Sequence, residues 1–170
     1  MAKTRVKTRF DIAKLFDQGI PKRQLDSLGR YILKEMKRLI AASRSTVKGG
    51  GRFQRYSDSY TTAIRKRYAN IPRGKTTKVN LELTGKMLEN LMFRMNKKNT
   101  IKVGILSNAP KDVKVRARVH NDGEGNAPQR KFIPDKRNDE FAVSIQRIIN
   151  TFHQNFLNKS VIQSNRRRRR

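Results

Sequence analysis

The chain has 170 residues, with 41 Lys and Arg against 13 Asp and Glu, and a net charge of +28. A free-standing domain of this size usually carries a net charge of about 2–8 in magnitude, so an anionic partner is expected: nucleic acid, an acidic protein surface or an acidic membrane. The absence of Cys excludes disulfides, thiolate zinc sites and cysteine nucleophiles, and no apolar run approaches the roughly 20 residues of a membrane span.

The first ten residues, MAKTRVKTRF, are basic and lack an apolar core, which predicts a basic arm over 1–20 and no secretory signal. Within the arm, Phe10, Ile12, Leu15 and Phe16 could form a short strand or a docking turn. Residues 21–44 read as a helix. Pro21 suits the first turn, and Leu25, Leu28, Ile32, Met36, Leu39 and Ile40 recur on one face, opposite Arg30, Lys34, Lys37 and Arg38. The next stretch, SRSTVKGGGRFQR at 43–55, reads as a flexible basic loop, because three successive glycines hold regular structure at high entropic cost. A second helix is expected over 57–68, capped by Ser57 or Asp58, with Tyr60, Ile64 and Tyr68 sharing a face. IPRGK at 71–75 breaks it.

VNLEL at 79–83 alternates like a short extended piece, and Thr84 then reads as the N-cap of a short helix reaching about Leu91, with Thr84–Gly85 as a close-packed junction. A hairpin follows: Leu91, Phe93 and Met95 alternate, NKKN turns, and Ile101, Val103 and Ile105 alternate again. Residues 112–123 predict a short helix ending at Asn121–Gly123, although Val113, Val115 and Val119 leave a strand open. Gly123 would supply positive φ at the turn. A short strand is expected at Lys131–Ile133; its alternation would leave only one of Phe132 and Ile133 deep in the core. The clearest helix spans 138–158, with Phe141, Ile145, Ile148, Phe152 and Phe156 on one face. From Lys159 the periodicity is lost and a basic, disordered tail is expected. The order implies an α+β fold in which a small antiparallel sheet packs against helices. One domain would occupy 21–158, between a basic arm at 1–20 and a basic tail at 159–170. An apolar content of 35% implies a modest core.

Sequence motifs for catalysis are weak. GKT at 74–76 lacks the earlier glycine of a P-loop, since Ala69 stands there, and Gly49–Gly51 lacks the following Lys-Ser/Thr. His153 lies beside an apolar stripe and reads as structural. His120, Asp122 and Glu124 could hold Mg²⁺ for a nuclease, but acids beside a glycine turn are usually turn formers. No nucleophile signature such as G-x-S-x-G occurs. No enzyme activity and no cofactor are therefore expected. Basic residues cluster in the N-terminal arm (Lys3, Arg5, Lys7, Arg9), in the glycine loop (Lys48, Arg52, Arg55) and in the tail (Arg166, Arg167, Arg168, Arg169, Arg170). The last two groups are candidate contacts to DNA phosphates or an acidic partner, since counterion release needs charge and little geometry. No recognition helix, zinc finger or RNA-binding aromatic motif is found.

Residues 56–95, YSDSYTTAIRKRYANIPRGKTTKVNLELTGKMLENLMFRM, and 101–133, IKVGILSNAPKDVKVRARVHNDGEGNAPQRKFI, carry a more specific pattern. YSxxY, VNLxLTGxML, a hairpin ending in VGI, an H-N-x-G turn and a P-x-R-x-F-I segment follow in that order. Over about 25–157 the chain resembles tailed-bacteriophage neck and tail-completion proteins, also called virion-morphogenesis proteins. The resemblance implies a homo-oligomeric ring in the head-to-tail connector, with DNA passing through it. Portal or connector and tail proteins of the same virion would be its neighbours, with contact to packaged DNA and none to a membrane. It gives Tyr56, Tyr60, Leu83, Thr84, Gly85, Leu88, His120, Gly123, Arg130 and Phe132 structural and assembly roles, with the virion neck as location and the host cytoplasm as the place of assembly. The oligo-arginine tail departs from the motif. The alternatives are a non-enzymatic nucleic-acid-binding protein and, further off, a metal-dependent nuclease.

Overall fold

The computed structural model describes residues 9–10, 20–67, 79, 81, 85–95, 101–124, 127–134 and 139–168, with backbone alone for 9–10 and 159–168. Within these residues the chain has an α+β fold. Helix α1 is Lys22–Ala41, α2 Asp58–Arg67, α3 Lys86–Glu89, α4 Lys111–Asp122 and α5 Val143–Arg168; the strands are β1 Arg9–Phe10, β2 Leu91–Met95 and β3 Ile101–Ile105.

Helix α1 buries Leu25, Leu28, Ile32, Met36, Leu39 and Ile40, the stripe its spacing predicts. Pro21 precedes it, where a missing N–H costs nothing. It ends where Ala42 N–H bonds the Arg38 and Leu39 carbonyls and Ser43, at φ 56°, turns the chain away. Short-range pairs decorate its polar side, Arg30 with Asp26 and Arg38 with Glu35, each at 2.7 Å. With both arginines exposed, these pairs contribute little to stability.

The sheet has the order β1-β3-β2, all antiparallel. The hairpin register pairs Leu91 with Ile105, Phe93 with Val103 and Met95 with Ile101. Ile101, Val103 and Ile105 alternate onto one face and are buried, as their spacing requires. Phe10 pairs with Ile101 at the other edge, so part of the basic arm enters the sheet. Ile12, Leu15, Phe16, Tyr68, the 71–75 break and the NKKN turn lie outside the described residues; of VNLEL only Val79 and Leu81 are described, both buried. Helix α1 lies across β2 and against α5. Helix α4 resolves the choice left by its valines: it is a helix, burying Val113, Ala117 and Asn121 at i, i+4 and i+8, and Gly123 in the left-handed region closes it.

Three expectations are corrected. The glycine loop is docked, not flexible. Ser45, Thr46, Val47 and Phe53 are buried, Arg44 bridges to Arg52, and Val47 bridges to Phe141. Each of its three glycines meets a separate demand: Gly49 and Gly51 have φ of 79° and 59°, and a Cβ on Gly50 would strike the Ser45 side chain. Second, residues 131–133 form no strand. Phe132 and Ile133 are both fully enclosed, 0% and 1% exposed, because the segment runs through the core with cover on both sides. Third, α5 begins at Val143, with Phe141 in the bridge before it, and continues to Arg168. Apolar periodicity reports burial, not helicity, and residues 157–165 contain no Gly or Pro to stop an exposed helix.

Gly29 sits where α1 meets β2. A Cβ there would lie 2.7 Å from Cε2 of Phe93 and closer still to its Cδ2. Helix propensity alone favours Ala by about 1 kcal/mol, while overpacking costs about 1–3 kcal/mol. Gly29→Ala is expected to lower stability by up to about 2 kcal/mol in urea unfolding, and a gain would show that the ring swings aside freely.

Candidate functional site

Residues from three separated motifs meet beside the C-terminal end of α4. Ser57 caps α2 through its Oγ, which accepts from Tyr60 N–H at 3.3 Å. This cap fixes Tyr60 one turn beyond Tyr56, and the two rings lie 5.1 Å apart, tilted by 48°. The guanidinium carbon of Arg130 stands 4.5 Å from the centre of the Tyr56 ring, a cation–π contact. Arg130 Nε donates to the Gln54 carbonyl at 3.2 Å, and its backbone N–H donates to the His120 carbonyl at 2.6 Å. Arg130 is only 2% exposed, and no carboxylate pairs with it among the described residues.

Behind this face Asn121, fully buried, accepts from Phe132 N–H at 3.0 Å and from Ile133 N–H at 2.9 Å through one oxygen. Gln129 Nε2 donates to the Asn121 carbonyl at 3.0 Å. From the other side Ser45 Oγ donates to the Lys131 carbonyl and Thr46 Oγ1 to that of Phe132. A pair at 2.6 Å between Lys131 Nζ and Asp139 Oδ2 closes the cluster. Among the described residues, His120 Nδ1, Asn121 Nδ2 and one Arg130 Nη are buried without a hydrogen-bond partner.

The electrostatics follow from burial and sign. Burial holds the His120 imidazole down at about 4, and the neighbouring charges of Arg130 and Arg116 push the same way, so the ring is neutral. Burial also lowers the Arg130 guanidinium and raises the Tyr56 hydroxyl. Glu124 is engaged by Arg118 at 2.9 Å, and among the described residues no three His, Cys, Asp or Glu come together as a metal-binding group.

Of the motif residues, Tyr56, Tyr60, His120, Gly123, Arg130 and Phe132 are thus brought together. Leu88 is buried on α3, which packs on α4 and β2. Leu83 and Thr84 lie outside the described residues. Gly85 stands at the start of α3, with φ 72°. The close-packed junction expected there is corrected: an added Cβ would meet only the Glu89 carboxylate, at 3.2 Å, so the requirement is conformational. Among the basic candidates, Arg52 and Arg55 are exposed, while Lys48 is engaged at 2.6 Å by Glu140, whose carboxyl its hydrogen bond lowers. Arg166, Arg167 and Arg168 form the last turn of α5, and Arg169 and Arg170 lie outside the described residues. Sequence reasoning missed Asn121, Ser45, Thr46 and Arg44. Polar or charged residues flank each of them in the sequence, so no local pattern marked them for burial or pairing.

Comparison of the chain with known protein families, with curated proteins and with solved structures returned no match. Among the described residues, no helix is long and apolar enough to cross a membrane.

The neutral His120 gives a pH test. Its folded value lies below the ordinary 6.5, so protonation favours the unfolded chain. The stability it confers is complete above about pH 6.5 and is lost as pH falls toward 4. Urea titrations of the native chain should lose up to roughly 3 kcal/mol more over that interval than those of His120→Gln. Parallel curves would mean that the ring is solvated.

Proposed function

We propose that this chain is a structural virion protein of a tailed phage, part of the head-to-tail neck ring around the DNA channel. It would act in tail completion or as a connector subunit, by self-assembly and by docking to portal and tail proteins, without catalysis. The observation that carries this reading is the convergence of the resemblance's motifs. Tyr56, Tyr60, His120, Gly123, Arg130 and Phe132 come from segments as far as 76 residues apart and meet in one packed cluster.

The cluster supports a structural role chemically as well. Its histidine is neutral and largely buried, its arginine stands over a tyrosine ring, and its asparagine holds peptide groups. The charge of +28 fits a subunit that meets polyanions in its working place. Like charges oppose closing a ring, so the isolated protein should run as a monomer at moderate salt. Mixed with the connector or tail protein of its own phage, it should enter a complex of defined copy number by native mass spectrometry. Failure to co-assemble at every salt concentration would remove the neck assignment.

A further inference from the structure

We infer that the docked hairpin 44–52 is a nucleic-acid phosphate clamp in which Arg44 and Arg52 grip one stretch of backbone. The strand geometry sets the pair. Ser45 N–H bonds the Gly51 carbonyl and Phe53 N–H bonds the Ser43 carbonyl, both within 2.9 Å, and the Arg44–Arg52 bridge lies between them. That places the two arginines opposite each other at a site of the non-hydrogen-bonded kind, where side chains share a face and lie closest. Like charges in that position repel and destabilise the pair. Both residues are exposed, and neither forms an ion pair with a described residue. No acid occurs between residues 43 and 55, and the one carboxylate that reaches the loop, Glu140, is held by Lys48.

The platform beneath them is fixed. Ser45 and Thr46 are hydrogen-bonded to the 131–132 carbonyls, and Lys48 N–H and the Thr46 carbonyl bond to the chain at 140 and 142. Two arginines on opposed backbone positions, with no acid in the loop, suit two successive phosphates, which Arg binds through paired N–H groups. Beyond them the tip is Gly49–Gly51, where a Cβ at Gly49 or Gly51 would find nothing within 4 Å, so a strand can approach the backbone closely. The exposed residues of 44–55 are Arg, Lys, Gly and Gln, without an apolar or aromatic anchor. A protein interface requires such an anchor at its centre, whereas a phosphate backbone does not. The inference does not depend on ring assembly, since a monomer would bind in the same way.

The test measures affinity of the full chain for a 30-base-pair duplex of arbitrary sequence over a salt series. Arg44→Gln/Arg52→Gln is expected to flatten the slope of log K against log salt by about 1.8, which is two phosphate contacts. Its melting temperature without DNA should be unchanged or higher, since a repulsion is removed. Arg44→Lys/Arg52→Lys should restore the slope, which separates charge from local folding. A chain truncated before Arg166 should still show the difference between Arg and Gln at 44 and 52, which separates the clamp from the tail. An unchanged slope in the Gln variant overturns the inference. Labelled polyglutamate should bind the native chain far more weakly than the duplex does, and equally tight binding of the two also overturns the inference.

Discussion

One oxygen atom, Oδ1 of Asn121, accepts hydrogen bonds from two successive peptide groups, Phe132 and Ile133. The constraint behind this contact is general. A chain segment that crosses a core outside any sheet must still satisfy its N–H and carbonyl groups. Here side chains do it: Asn121 takes the amides, while Ser45 and Thr46 take the carbonyls of Lys131 and Phe132. A buried amide left unpaired costs about 1–3 kcal/mol, so the segment has few alternative positions. Helix α4 ends at this point, the glycine loop docks on it, and the residues leading into α5 are tied to it through Lys131 and Asp139. The docked glycine loop and the missing strand at 131–133 are therefore one correction: the loop adapts to the core-crossing segment.

The same segment carries Arg130 into a site where no carboxylate of the described residues pairs with it. A buried guanidinium is costly unless its hydrogen bonds and charge are met. The Gln54 carbonyl and the Tyr56 ring meet part of that demand, and the positive charge in turn helps to keep His120 neutral. The excess of positive charge over the surface makes every interior cation harder to hold, and the fold answers with aromatic and amide groups. Acids are scarce in this chain and are used at joints, as Glu140 on Lys48 and Asp139 on Lys131 illustrate.

Much of this was legible in the sequence where burial and regular structure coincide. The α1 stripe, the hairpin alternation and the glycine stop of α4 each follow from a period or a dihedral requirement. The reading failed where the two part company. SRSTVKGGG looked flexible because glycine lowers the cost of disorder as well as of tight turns, and only the tertiary contacts of Ser45 and Thr46 decide between them. Phe132 and Ile133 looked like a half-buried strand because period two assumes one solvated face. The last turns of α5 carry no apolar stripe, so periodicity gave no sign of them. The cluster around Arg130 was legible as a set of positions, yet its keystone, Asn121, read as a turn residue.

The most direct measurement is amide hydrogen exchange at Phe132 and Ile133 in the native chain. Anchored by Asn121, both amides should exchange only through global unfolding, as slowly as the buried turns of α1 and with the same dependence on denaturant. Exchange at the rate of an exposed loop, while α1 remains protected, would contradict the claim that this core-crossing segment organises the fold.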